Sequence, residues 1–327
     1  MEPPLISVII PTYNRASFLP QAVESALGQA GVEVEVIIVD DGSTDETPEL
    51  VNQRASVWGD RVSYVRQQNS ERSAARNNGL CRARGEYVTF LDSDDLWRPD
   101  HARKCIEALR RHPEAVAAYG EYGLMSADNR PICETVKRPA SEGKHFMRDL
   151  CLKRLILHPT EVVLRRSMLT SNELFDRDIP GAEDWLLWVR LATEATFKRV
   201  GVPTVWMRVH PKGTFGDPDK FSRSLMTAAE KVISTGAPRA SGISNDRIRA
   251  INQIHSAYAY YLAGRFSLSR KLLMKAAGAY KPSLVEADFW KVLARLCLGK
   301  SISRRIRAAR HRGSGGVIDI ASTSADS

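Results

Sequence analysis

Two groups of acids carry the chemistry in this chain. The stretch YVTFLDSDDLWRP places Asp92, Asp94 and Asp95 directly after an apolar run. Further on, EDWLLWVRLA opens with Glu183 and Asp184. Close-set carboxylates repel one another unless a cation sits among them. If extended backbone continues past Leu91, Asp92 and Asp94 point the same way, toward one ligand. Their hard oxygens suit Mg2+ or Mn2+, which bind through one or two carboxylates and complete their shell with phosphate and water. The competing reading is plainer: Asp94 or Asp95 caps the helix that begins near Pro99, and Glu183 and Asp184 complement a helix dipole.

These acids need rigid elements behind them. Ile6–Ile10 is a β-branched run stopped by Pro11, and Val34–Val39 is a second, ending in Asp40-Asp41-Gly42-Ser43. Val62–Val65 and Tyr87–Leu91 make a third and fourth strand. Between them, Ser17–Gln29, a segment opened by the Ser43-x-x-Glu46 capping box, and Ser70–Arg84 have helical spacing. Strand and helix alternating in this way predict an α/β fold, a mostly parallel sheet flanked by helices. Ligands of such sheets sit beyond the carboxyl ends of the strands. Pro11-Thr12-Tyr13-Asn14, Asp40–Ser43 and Asp92–Asp95 would then face one crevice.

Further along, a helix over 99–111, strands over 115–122, 160–164 and 204–209, and a helix from Glu183 are expected. Residues 126–146 read as a surface loop. Beyond Phe221 the chain is alanine-rich and helical.

Five blocks occur in order: VIIPTYNR, VIIVDDGSTDET, SAARNNGL, GEYVTFLDSDDLW and EDWLLWVRLA. Together they resemble a family 2 glycosyltransferase with the GT-A fold, over about Ile6 to His210. The resemblance implies inverting transfer from a nucleotide-diphosphate sugar, most simply a UDP-sugar, to a hydroxyl of a glycan or lipid-linked acceptor. By the same resemblance Pro11, Thr12 and Tyr13 line the nucleoside pocket, Asp41 bonds the base, and Arg76 lies by the base or phosphates. Asp92 and Ser93 lie near the ribose, Asp94 takes Mn2+ or Mg2+, Asp184 is the general base, and Glu183 helps to position the acceptor. His210, in MRVHPKGTF, is a further metal or pyrophosphate ligand by the same comparison. One departure stands out: in QNSERSAARN, Ser70 or Glu71 occupies a place where the family commonly has glycine.

Composition bounds the rest. The 327 residues are 43% hydrophobic and 26% charged, the balance of an ordinary globular protein. No apolar run is long enough to span a bilayer, and the N-terminus lacks the basic start of a signal peptide. The expected location is therefore the cytoplasm, with peripheral contact at the cytoplasmic membrane face. Cys81, Cys105, Cys133, Cys151 and Cys297 are scattered without a C-x-x-C pair and read as reduced thiols. The net charge of +9 is concentrated late: no acid occurs from Phe289 to Ile318. Arg304, Arg305, Arg307, Arg310 and Arg312 suit an anionic membrane. No nucleic-acid partner is expected, because no aromatic-interleaved basic motif, helix-turn-helix or zinc pattern accompanies those charges. The alternatives are a metal-dependent sugar-nucleotidyltransferase, whose glycine-rich phosphate loop is missing here, and an inactive sugar-nucleotide-binding relative. Three regions are expected: a catalytic domain over 1–215, a helical region over 216–312 and a disordered tail over 313–327.

Overall fold

The computed structural model describes residues 5–141, 143–209, 217–280 and 287–297. In chain order, the first elements are β1 (Leu5–Thr12), α1 (Leu19–Leu27), β2 (Glu33–Asp40), α2 (Thr47–Trp58), β3 (Val62–Arg66), α3 (Glu71–Leu80) and β4 (Tyr87–Phe90). They are followed by β5 (Leu96–Trp97), α4 (His101–Arg111), β6 (Ala115–Ser126), β7 (Pro131–Cys133), α5 (Lys144–Cys151), β8 (Val162–Arg165), α6 (Glu183–Glu194) and β9 (Thr196–Val209). Four more helices follow, α7 (Pro218–Ser234), α8 (Ala237–Ala240), α9 (Asn245–Leu262) and α10 (Phe266–Ala279), and residues 287–297 are helical as well.

The chain divides into two units. One comprises Met1–Glu142 with Ile156–Val209, the other Gly143–Leu155 with His210–Ser327. Sequence spacing puts 143–155 with the catalytic segment; by contacts it groups with the later helices.

The first unit is built on one mixed sheet in the order β3-β2-β1-β4-β8-β6-β9-β5, with β7 on β6. Strands β1 to β4 run parallel; β1, β2 and β4 are largely buried, as suits covered parallel strands, and β3 is the half-exposed edge. Beyond β4 the sheet turns mixed. β8 is antiparallel to both β4 and β6, and β9 is parallel to β6. The short β5, immediately after the acid cluster, pairs antiparallel with the end of β9. That pairing fixes where the cluster ends.

Helix α3 lies tight on β1: a Cβ on Gly79 would come within 2.4 Å of Ile9 Cγ2. Only glycine permits that approach. Three caps expected from sequence are replaced. Helix α1 begins at Leu19 after Phe18, without a side-chain cap from Ser17. At α2, Asp45 rather than Ser43 takes the Thr47 N–H (3.1 Å) and hydroxyl (2.6 Å). At α4 the cap position is Asp100, and neither Asp94 nor Asp95 serves it. Residues 126–146 are not all loop, because they include β7 and the buried Val136 and Ser141.

In the second unit, α9 and α10 pack through Ala250, Ile254, Ala257, Leu273 and Ala276, joined by Phe289 and Val292. The Ser269 hydroxyl donates to the Ala257 carbonyl (2.6 Å) and satisfies itself inside this core. No helix among the described residues is long and apolar enough to cross a membrane. The stretch Arg304–Arg312 and the tail after it lie outside the described residues.

Candidate active site

The parallel strands end side by side, and their loops are tied together. Asn14, at φ +52°, accepts at Oδ1 from the Thr44 N–H (2.8 Å) and donates its own N–H to Ser43 Oγ (3.0 Å). The Ala16 N–H donates to Asp45 Oδ2 (3.1 Å). Asparagine tolerates the left-handed region better than most residues, so it suits this corner. The loop after β1 is thereby fastened to the loop after β2.

In this crevice, Pro11 and Thr12 are buried and Tyr13 is 46% exposed, a ring open to a ligand. Thr12 Oγ1 is buried and has no hydrogen-bond partner among the described residues. Asp41 is buried, and its Oδ1 accepts from Gln67 Nε2 and the Ser70 N–H, both at 2.8 Å. Its position is thus fixed by one oxygen. The next residue, Glu71, sits at φ +70°. This is the conformation glycine adopts without strain, at the place where the family pattern favours glycine.

The acids after β4 do not continue the strand; they form a turn in which the Asp95 N–H donates to the Asp92 carbonyl (3.0 Å). Each acid meets a different arginine. Arg76 Nη2 donates to Asp92 Oδ1 (2.7 Å), Arg15 Nε lies 3.4 Å from Asp94 Oδ2, and the Arg208 N–H donates to Asp95 Oδ1 (3.0 Å). Thr160 stitches the turn from below: its hydroxyl accepts from the Asp92 N–H (3.2 Å) and donates to Asp95 Oδ2 (3.1 Å). Asp95 is buried, and burial, with the charges of Asp94 and Asp92, pushes its carboxyl well above the usual range. Asp92 and Asp94 remain partly open, at 32% and 21% side-chain exposure. Ser93 is buried between them. Trp97 is core: its indole N–H donates to the Thr160 carbonyl (2.9 Å).

Arg76 joins this turn to the second acidic group. It is 2% exposed; Nη2 holds Asp92, and Nη1 donates to Glu183 Oε1 (3.0 Å). Its guanidinium also lies 5.0 Å over the Phe175 ring. Burial works against the charge, but Asp92, Glu183 and Asp184 outweigh it and hold the guanidinium protonated. Glu183, itself 2% exposed, spends its other oxygen on the Gly181 N–H. Glu183 thus has a bracing role through Arg76, and its expected contact with an acceptor stands as a proposal. Arg76 braces both acids through Nη1 and Nη2, its buried Nε has no partner among the described residues, and its expected contact with base or phosphate stands as a proposal. Asp184 is half-buried at the first turn of α6, and Oδ1 accepts from the Trp185 N–H (2.7 Å).

Among the described residues no three His, Cys, Asp or Glu side chains converge on one point. Asp94, with 21% of its side chain exposed, is the candidate carboxylate for a divalent ion. That donor set fits an ion whose other ligands come from a diphosphate and water. His210 lies outside the described residues. Arg15, Thr160 and Arg208 are site residues that sequence spacing did not single out. Arg15 was visible within PTYNR and Arg208 within MRVH, but only the fold shows which acids they meet.

The comparisons agree with this geometry. The glycosyl transferase family 2 model matches residues 7–171. The putative teichuronic acid biosynthesis glycosyltransferase TuaG of Bacillus subtilis is 34% identical over 189 residues, covering 58% of this chain and 72% of that protein. Other curated relatives are longer, and the match spans 37% of their length. Among solved structures, Staphylococcus aureus TarS 1–349 in complex with UDP-GlcNAc superposes with a TM-score of 0.60 at 19% identity, covering 93% of this chain and 92% of that one. The mannosyltransferase PcManGT of Pyrobaculum calidifontis, in complex with GDP-Man and Mn2+, gives 0.59 at 23% identity, covering 95% and 85%. At these identities the structures establish the GT-A fold.

Proposed function

The chain belongs to glycosyl transferase family 2, and from that premise we propose an inverting transfer from a nucleotide-diphosphate sugar, with a UDP-sugar as donor, to a hydroxyl of a glycan or lipid-linked acceptor. The observation that carries the reading is Arg76, which holds Asp92 and Glu183 in one buried bridge. It joins Asp92 to the start of α6, although Arg76 and Glu183 lie 107 residues apart along the chain.

Pro11, Thr12 and Tyr13 hold the nucleoside, and Asp41, fixed through one oxygen, presents the other to a base N–H. Asp92 and Ser93 bound the ribose. Asp94 holds Mn2+ or Mg2+ with the diphosphate, and that ion offsets the charge growing on the leaving group. Arg15, 3.4 Å from Asp94, is placed to turn to a phosphate oxygen. Asp184 takes the proton of the acceptor hydroxyl on the face opposite the leaving group, as inversion requires. The sequence alone supports peripheral contact of Arg304–Arg312 with anionic lipid. The domain division proposed is a catalytic region to about residue 215, with a helical region after it.

The test is calorimetry of UDP, GDP and dTDP with and without Mn2+, on the wild type and Asp94→Asn. Mn2+-dependent binding of one nucleotide, weakened in the variant, supports the reading. A folded protein that binds none of the three overturns it.

A further inference from the structure

Asp41 is held by a side chain that is itself held. Gln67 is the first residue after β3, and its backbone N–H donates to the Asp40 carbonyl (2.9 Å). Its Nε2 donates to Asp41 Oδ1 (2.8 Å), so the amide turns its NH2 toward the acid, because a carboxylate only accepts. Gln67 Oε1 then faces away from the acid and accepts from Asn78 Nδ2 of α3 (2.6 Å). That bond orients the Asn78 amide in turn, and its Oδ1 accepts from Arg82 Nη1, which also donates to the Asn78 carbonyl (3.0 Å). Every bond in the series Arg82, Asn78, Gln67, Asp41 runs from donor to acceptor in one direction and ends on the acid.

The loop that carries Gln67 has little room to shift. Gly42 lies against it: a Cβ there would meet the Asn69 backbone N at 3.1 Å and the Gln67 carbonyl at 3.4 Å. The Ser70 N–H closes the loop on Asp41 Oδ1 (2.8 Å). Oδ1 thus holds two donors, and Oδ2 has no partner among the described residues. Arg76 and Asn78 both belong to α3, two residues and about 200° apart around its axis. One helix therefore ties down Asp41 through Asn78 and Gln67, and Asp92 through Arg76.

We propose that Gln67 and Asn78 are positioning residues for recognition of the donor base. They aim Asp41 Oδ2 at an N–H of the base, and through α3 they fix the spacing between that contact and the acid assigned to the ribose. An oxygen that only accepts suits a base with a ring N–H at its pairing edge, N3–H of uracil or N1–H of guanine. Neither residue touches the base, and each acts through Asp41. Their role rests on the assignment of Asp41 to the base and adds the residues that orient it.

Two variants of the full chain test this by calorimetry with Mn2+, using UDP, GDP and pyrophosphate, which has the diphosphate but no base. Gln67→Met keeps the backbone bond to Asp40 and removes the donor to Asp41. Asn78→Asp leaves Gln67 in place but sets a second carboxylate beside it, so that two acids compete for one NH2 group. Gln67 and Asn78 are half-buried, and both variants are expected to melt close to the wild type by circular dichroism. The nucleotide that the wild type binds is expected to bind about tenfold more weakly to Gln67→Met and about threefold more weakly to Asn78→Asp, with pyrophosphate affinity unchanged in both. Pyrophosphate weakened as much as the nucleotide overturns the proposal, and so does an unchanged nucleotide affinity in either variant. A wild type that binds the nucleotide no more tightly than pyrophosphate would instead strike the assignment of Asp41 to the base.

Discussion

Replacing Arg76 by methionine tests the bridge on which the site depends. The substitution keeps the length and apolar stem of the side chain and removes the charge. Asp92 is one-third exposed and returns to water at small cost. Glu183 is 2% exposed and has no such exit. Arg72, its other cationic neighbour, is 3.9 Å away and 45% exposed, too distant and too solvated to replace the lost bond. Breaking one side of a buried ion pair costs about 3–5 kcal/mol, because the remaining charge is uncompensated. For a unit of roughly 200 residues each kcal/mol lowers Tm by about 2–4 °C, so Arg76→Met should melt about 6–20 °C below the wild type. Adding Glu183→Gln removes the stranded charge and retains an acceptor for the Gly181 N–H. The double variant should recover at least half of the lost stability, yet it should remain inactive, because α6 is no longer tied to Asp92. Thermal melts by circular dichroism and a transfer assay read both outcomes. A drop under about 2 °C for the single variant, or a double variant no more stable than the single one, would refute the bracing role.

Asp184→Asn should reduce turnover by about 100- to 10,000-fold while nucleotide affinity stays within about twofold, measured by calorimetry beside single-turnover kinetics. His101 is buried against Thr204 Oγ1 (2.8 Å), and burial lowers its pKa from 6.5 to about 3. A depressed histidine stabilises the fold above its unfolded pKa and loses that contribution as pH falls below 6.5, at up to about 1.4 kcal/mol per unit; urea melts of His101→Gln between pH 4 and 7 should show a pH slope smaller by one proton. A Cβ on Gly123 would meet Trp206 Cζ3 at 2.6 Å and the carbonyls of Glu134 and Cys133 at 2.7 and 2.8 Å, so Gly123→Ala should cost at least about 1–3 kcal/mol, seen as a lowered Tm. Because no three ligating side chains converge among the described residues, EDTA should leave Tm unchanged without nucleotide and lower it when UDP is bound; a Mn2+-dependent rise with the protein alone would contradict the shared-ligand reading.

The parallel half of the sheet was legible because its strands are continuous apolar runs that stop at polar clusters, and nothing but a covered parallel strand reads that way. The converging strand ends were legible for the same reason. What spacing could not show was pairing at long range. Arg76 lies in an ordinary amphipathic helix, and its two partners, 16 and 107 residues away, are set only by packing. The caps failed locally for a related reason: Ser43, free in sequence to cap α2, is drawn to the Asn14 N–H once β1 and β2 lie side by side. Glu71 was the opposite case. Its oddity was visible as a missing glycine at Ser70 or Glu71, and the positive φ falls on Glu71. Strain of this kind costs about 1–2 kcal/mol and persists only where its surroundings hold it in place. Here the neighbouring Ser70 N–H is held by Asp41, the residue assigned to the base.

Each of the three aspartates within the four positions of the acid turn has its own cation or hydrogen-bond donor. Asp92 has Arg76, Asp94 has Arg15, and Asp95 has the Arg208 N–H and the Thr160 hydroxyl. These partners come from α3, the β1 loop and β9, so the sheet delivers a cation or a donor to each acid from a different direction. Their openness differs in the same order as their proposed uses. Asp95 is sealed and holds the turn, whereas Asp92 and Asp94 keep one-fifth to one-third of their side chains in water. Only the last two can exchange a protein partner for a ligand. Of their two arginines, Arg76 is 2% exposed and locked by Glu183, while Arg15 is 23% exposed and able to leave. The greater exposure of Arg15 supports the proposal that a divalent ion binds at Asp94 rather than at Asp92.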